Sequence, residues 1–334
     1  MSTNGEQGEN QCDAKHVFIC GLQRSGTSVL ARNIGRFRDC TAFHNTGVIE
    51  DEGQYLQDVY PTNNELGGTG WYGFDERAHL TEASELLTPK NISRLRASWS
   101  RYWEEDKSIR IEKTPGNLLM SRFLQAVFPN AYFIVITRHP VAVSLANQRW
   151  KKSMASVRGG FEHWLHCHQL FEEDRKYLTN VYRLTYEAYI SNPPKYHKEI
   201  AQFIGTDIPE VGLEEVTGSH NKRYFDLWIH LLTKSPFRSY YQYIARKYEA
   251  RFSAYGYSLL DPAWENSGVL SNAVRVPDAI AGLLCAGADL HAFTWRLAHR
   301  GKGHVRRTIR RLLPPAIKER VKQLTRVSQR VTAE

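Results

Sequence analysis

The 334-residue chain has no run of eighteen or more apolar residues, so the sequence predicts no membrane-crossing helix. Its first sixteen residues, MSTNGEQGENQCDAKH, lack the hydrophobic stretch of a secretory signal, and residues 1–15 read as a disordered tail. Cysteine is sparse: five residues, at positions 12, 20, 40, 167 and 285, with no C-x-x-C pair. An odd, scattered set argues against a disulfide framework and for a reducing, cytoplasmic setting. Most of the chain also lacks excess charge of either sign. Residues 300–334 hold eleven Lys/Arg against two acids, which equals the whole net charge of +9. The body is therefore neutral, and nucleic acid is not an expected partner for it. What is present is 42% hydrophobic and 12% aromatic residues, enough for a sizeable core.

Apolar, β-branched runs alternate with helix-period segments. Strands are expected at 17–20, 108–112, 131–137 and 181–185, each followed by a short loop and a helical pattern. PPKYHKEIAQFIG starts on prolines and stops at Gly205, a plausible C-cap. This order predicts an α/β fold, a P-loop-type parallel sheet flanked by helices, over residues 16–262. Residues 263–334 read as a helical, basic C-terminal extension. In such sheets ligands bind beyond the carboxyl ends of the strands. Those ends carry GLQRSGTS, EKTPGN, TRHP and YEAYI, so polar side chains collect on one edge.

The stretch GLQRSGTS has the glycine spacing of a phosphate loop, with Gly21 and Gly26, but not its lysine: Thr27 stands there. The bland alternative is an ordinary β-α turn. Against it, a strand before, a helix after, Arg24 within the loop and the Thr27-Ser28 pair coincide. The lysine and Mg²⁺ of a kinase loop neutralise a multiply charged γ-phosphate. A sulfuryl group in transfer carries less charge, so a loop without the lysine points to a phosphosulfate donor and to no metal.

VFICGLQRSGTSVL resembles the 5′-phosphosulfate loop of the sulfotransferase family, which uses 3′-phosphoadenosine 5′-phosphosulfate (PAPS). The resemblance implies donor contacts from Gly21, Gln23, Arg24, Ser25, Gly26, Thr27 and Ser28. AYFIVITRHPVAVSLANQRW resembles the family's 3′-phosphate site, an Arg at a strand end and a Ser on the next helix. Arg138 matches the Arg. Ser144 is the best match for the Ser, although it lies six residues on where the family's spacing is eight and Ala146 stands. The alternative for Ser144 is a hydroxyl bonded back to its own helical turn. YRLTYEAYISNP resembles a later strand-loop segment of the family.

Other residues complete the expected site. Lys113, at the end of the second strand run, is placed by the resemblance near donor and acceptor, where it would stabilise the transferring sulfonate; otherwise it is a surface lysine. Glu52 is the first choice for the base that deprotonates the acceptor, because EGQ sets a flexible glycine beside it. Glu50, Asp51 and His44 are rivals, and a solvated acidic turn is the competing reading. Lys222 and Arg223 are candidate phosphate contacts in the polar-basic stretch TGSHNKRYFDLW, with Tyr224 and Phe225 packed beneath, unless they are simply solvated. HWLHCH, at 163–168, reads as one face of a core helix rather than a zinc site. The segment LGGTGWYGF could stack on a sugar face. The tail places Ile317, Val321 and Leu324 at helical spacing among Lys and Arg, which suits an anionic membrane surface such as the inner membrane face. A helix docked on the body and, more weakly, a nucleic-acid arm are alternatives. The expected activity is sulfuryl transfer from PAPS to an acceptor hydroxyl, on a carbohydrate or glycolipid. An atypical P-loop kinase or NTPase and a non-catalytic nucleotide-binding membrane adaptor are the competing classes.

Overall fold

Five parallel strands, ordered β2-β3-β1-β4-β5, form the sheet on which the site is built. The structure is a computed structural model and describes residues 14–148, 156–216, 219–235 and 237–261. The strands are β1 (Lys15–Gly21), β2 (Cys40–Ala42), β3 (Ile109–Lys113), β4 (Ala131–Thr137) and β5 (Val181–Thr185). Four of them lie where apolar, β-branched runs predict them. β2 was not expected: three residues are too few to show a period, and only pairing with β3 defines it. β1 takes in Lys15, one residue before the expected start of the domain.

The described helices are α1 (Thr27–Ile34), α2 (Pro89–Ser100), α3 (Ser121–Val127), α4 (Pro140–Gln148), α5 (Val157–Asp174), α6 (Tyr186–Ser191), α7 (Pro193–Ile204), α8 (Ser219–Thr233) and α9 (Arg238–Ser253). Local chemistry sets their ends. Asn192 caps α7 by accepting the Lys195 N–H at 3.2 Å, and the helix closes on Gly205 in a left-handed conformation at φ 72°. Ser156 caps α5 through the Gly159 N–H at 3.0 Å. Of the polar-basic stretch 217–228, the residues from Ser219 onward form the start of α8.

Alternation along β1 divides the core. Val17 and Ile19 pack with Leu30, Ile34, Ile200 and Ile204 on the side covered by α1 and α7. Phe18 lies on the opposite face, 5.5 Å from Phe133 and 6.2 Å from Trp99 between ring centroids. Helices α8 and α9 bring Trp228 and Phe252 onto Phe161 of α5, at 5.7 and 5.2 Å. HWLHCH lies in α5 with His163, Cys167 and His168 buried. His163 Nε2 accepts the Gly73 N–H at 3.2 Å, and His168 Nδ1 meets the Trp164 carbonyl at 2.8 Å. Among the described residues, no three His, Cys, Asp or Glu are arranged to hold a metal ion, and no helix is long and apolar enough to cross a membrane. Cys20, Cys40 and Cys167 are free and buried. The expected boundary near 262, the extension 263–334 and its membrane-binding segment lie outside the described residues.

Burial also sets how the fold responds to acid. It pushes the pKa of His16, His139 and His163 down to about 3 and that of His168 to about 4. Between those values and 6.5, the unfolded chain binds protons that the folded one refuses, so stability falls as pH falls. At pH 5.5 each histidine costs on the order of 1 kcal/mol relative to pH 7.5, roughly 5 kcal/mol for the four. Glu112, pushed up to about 7 by burial, acts with the opposite sign and offsets about 2 kcal/mol. Urea unfolding followed by fluorescence is therefore expected to show about 3 kcal/mol less stability at pH 5.5 than at pH 7.5; equal stability at both would contradict it.

Candidate active site

The carboxyl ends of β1, β3, β4 and β5 meet at one edge, and each delivers a loop. After β1 the chain turns through residues 21–26 into α1. Arg24 sits in a left-handed conformation at φ 73°. Gly26 caps α1 at φ 95°, and a Cβ there would lie 2.6 Å from the Tyr186 ring, so glycine is required on two counts. Gln23 is half-buried. Ser25 is fully buried, and its hydroxyl has no hydrogen-bond partner. α1 has no acidic residue within its own first turn, so its positive end faces the loop, and Glu50 reaches that turn from outside the helix through Ser28. Such a turn suits an anion. Thr27, at the position of the absent lysine, is buried, with its methyl packed beneath Gly21. Ser28 Oγ donates to Glu50 at 3.2 Å.

β3 ends in Lys113, whose ammonium is buried rather than on the surface. It donates to Glu52 Oε1 at 3.2 Å and to the Glu50 carbonyl at 2.9 Å. The other Glu52 oxygen accepts from the Gln54 side-chain amide. Burial raises the Glu52 pKa, and Lys113 opposes the rise. The four candidate bases separate clearly. His44 is exposed. Asp51 ties its own turn, accepting the Thr46 N–H and hydroxyl at 2.8 and 2.6 Å. Glu50 is exposed and holds Ser28. Glu52 alone among them is buried against the lysine.

Gly53 is not the flexible neighbour that the sequence suggested. A Cβ at that position would lie 2.6 Å from Glu112 Oε1, and the Gly53 N–H donates to that oxygen at 2.9 Å. Glycine is needed there for close approach. Glu112 was missed in the sequence, as were Gln54 and Asn221. A signal for Glu112 existed: strand alternation puts it on the face opposite Lys113, where a carboxylate needs a reason to be buried.

Arg138 ends β4, buried and fully engaged. Its Nε and Nη2 donate to Asn221 Oδ1 at 2.8 and 2.5 Å, and Nη1 donates to the Arg24 carbonyl at 2.5 Å. Its guanidinium lies over Tyr186 at 4.1 Å. Asn221, at the start of α8, donates to Glu187 at 2.8 Å, and Glu187 also accepts the His139 N–H at 3.1 Å. Arg223 stacks on Tyr224 at 4.6 Å, while Arg138 approaches the same ring at 5.8 Å. Arg223 also lowers the pKa of both Arg24 and Arg138, after burial itself. Three arginines thus share one neighbourhood. Lys222 does not join them: its side chain is 80% exposed and paired with Asp226 at 3.0 Å. Ser144 lies where α4 meets α5. It is buried, a Cβ on Gly160 of α5 would lie 2.6 Å from its Oγ, and that hydroxyl has no hydrogen-bond partner, so it is not bonded back to its own turn. In LGGTGWYGF, Tyr72 is fully buried, whereas Phe74 is 43% exposed and stacked on His166 at 5.3 Å.

The chain resembles several solved structures. These include sulfotransferase STF1 from Mycobacterium tuberculosis, at 15% identity and TM-score 0.37, covering 64% of this chain and 71% of that one. STF9 from Mycobacterium avium gives 14% identity and TM-score 0.41, covering 72% and 77%. Mouse sulfotransferase SULT7A1, solved in complex with PAP, gives 16% and 0.33, covering 70% and 90%. No curated protein matches the chain by sequence. The profile of the sulfotransferase family matches residues 16–210, which span β1 to the end of α7 and more than half of the sequence. With that match laid over a parallel sheet whose strand ends carry the loop of 21–26, the buried lysine and the arginines, the chain belongs to the sulfotransferase family.

Proposed function

We propose that the protein transfers a sulfuryl group from PAPS to an acceptor hydroxyl. The observation that carries this reading is the buried Glu52–Lys113 pair, 3.2 Å apart, at the same strand edge as a phosphate loop without its lysine. The residues present fit an anionic donor: Ser25 offers an unpartnered buried hydroxyl, and Gly26 lets the loop turn into α1 against the Tyr186 ring. The backbone of 21–28 and the α1 terminus would hold the 5′-phosphosulfate, and Arg138, with Arg24 and Arg223 nearby, the 3′-phosphate. PAPS supplies an activated sulfuryl group with PAP as leaving group. Glu52 accepts the acceptor's hydroxyl proton as the oxygen–sulfur bond forms and the sulfur–phosphate oxygen bond breaks. Its raised pKa suits a base. Lys113 offsets negative charge on the moving sulfonate. No metal is needed in this scheme. A kinase would require a lysine where Thr27 lies buried.

The proposed acceptor is a carbohydrate or glycolipid. The half-exposed Phe74 offers an apolar face for a sugar ring, and residues 300–334 would hold the enzyme at an anionic membrane surface. Ser144, whose buried hydroxyl also lacks a partner, would add a contact to the 3′-phosphate, and Lys222 would have to leave Asp226 to do so.

In calorimetry, PAP is expected to bind at least about tenfold more tightly than adenosine 5′-phosphate, about 1.4 kcal/mol from the 3′-phosphate. Equal affinities would remove the 3′-phosphate assignment. Glu52→Gln is expected to lower kcat by roughly 10²-fold and to leave PAP affinity nearly unchanged. A near-normal Glu52→Gln beside an inactive His44→Ala would move the base to His44.

A further inference from the structure

We propose that Glu112 is a positioning residue that holds Glu52 at its working distance from Lys113. The proposal rests on the reading of Glu52 and Lys113 as the reacting pair. Lys113 is fixed because it belongs to β3. Glu52 belongs to an irregular turn of single 3₁₀ turns at Ile49–Asp51 and Gly53–Tyr55, which has no ladder to hold it. A carboxylate there needs an external reference if it is to stay at 3.2 Å from the ammonium.

Glu112 provides that reference from the same strand. Its side chain is fully buried on the face opposite Lys113. Oε1 accepts the Gly53 N–H at 2.9 Å and the Thr114 hydroxyl at 2.6 Å, and Oε2 accepts from the Asn117 amide. Thr114 Oγ1 in turn accepts the Gln54 N–H at 3.3 Å, and the Gln54 amide holds the second Glu52 oxygen. The indole of Trp99 completes the clamp on the Gly53 carbonyl at 3.0 Å. Both peptide groups that follow Glu52 are therefore referenced to β3, one directly and one through Thr114. The absence of a Cβ at Gly53 allows this approach.

A buried carboxylate that served only the fold would affect stability alone. A positioning residue changes turnover, because displacing a reacting group by about 1 Å costs roughly 10²-fold. Two variants of similar shape separate hydrogen bonding from charge. In Glu112→Gln the retained oxygen keeps the Gly53 N–H. The new amide can donate to Asn117 Oδ1, which has no partner in the structure, once the Asn117 amide turns over. Glu112→Met keeps the volume and removes every acceptor.

Turnover of PAPS to PAP is measured with octyl glucoside and with water as acceptor, beside PAP affinity as the test of folding. Glu112→Gln is expected within about threefold of wild-type kcat. Glu112→Met is expected to lose roughly 30- to 100-fold in kcat, with PAP affinity within about twofold. Hydrogen exchange of the Gly53 and Gln54 amides should rise in the Met variant and not in the Gln variant. If Glu112→Met fails to bind PAP, Thr114→Val, which breaks only the indirect tether, is expected to lower kcat about fivefold. A PAP-binding Glu112→Met with near-normal kcat overturns the proposal, as does a Glu112→Gln as impaired as the Met variant, or an unchanged Thr114→Val. An inactive wild-type enzyme overturns the reaction itself, and this proposal with it.

Discussion

A lysine ammonium buried in protein must have an anion beside it, and the site is arranged around that requirement. The Lys113 and Glu52 side chains are 7% and 10% exposed, so both charges have left water. Losing one partner of such a pair costs about 3–5 kcal/mol, because the other is left uncompensated. The strand end, the irregular turn and the glycine at 53 are therefore coupled. None can move far without separating the two charges. The same burial favours a proton-accepting Glu52, since desolvation raises its pKa while Lys113 keeps the rise in check.

A second electrostatic constraint lies on the other side of the phosphate loop. Arg138 binds the loop through the Arg24 carbonyl, α8 through Asn221, and α6 through the face of Tyr186. It fixes where the loop stands relative to the last helices of the described chain. Arg223 adds a third positive group over a shared tyrosine. Like charges brought this close favour an anion among them, and the α1 N-terminus faces the same loop. The phosphate loop itself can therefore do without a lysine. Positive charge that a nucleotide kinase concentrates at one loop position is here distributed over arginines from three segments.

Both constraints depend on the parallel sheet. All five strands run in one direction, so every carboxyl end reaches the same edge. β1 lies between β3 and β4, which places the loop of 21–26 between Lys113 and Arg138. An antiparallel arrangement of the same strands would carry one of these residues to the opposite end.

The order of strands and helices, the phosphate loop, Arg138 and Lys113 could be read from the chain, because each depends on local pattern: apolar runs, glycine spacing, a polar residue at a strand end. β2 could not, since a three-residue strand exists only through its pairing. The sequence narrowed the base to Glu52, Glu50, Asp51 and His44 but could not choose among them. Four neighbouring polar residues look alike until burial, Thr46 and Lys113 distinguish them. The structure turns Lys222 along α8 towards Asp226 and sets Ser144 against Gly160 of α5, neither of which the sequence indicated. It also showed that Gly53 is a point of close approach to Glu112 rather than a hinge. Pattern along a chain determines which residues reach an edge of the fold. Which of them meet, and which are removed from water, is decided by contacts between segments sixty or more residues apart, such as Lys113 with Glu52 and Arg138 with Asn221.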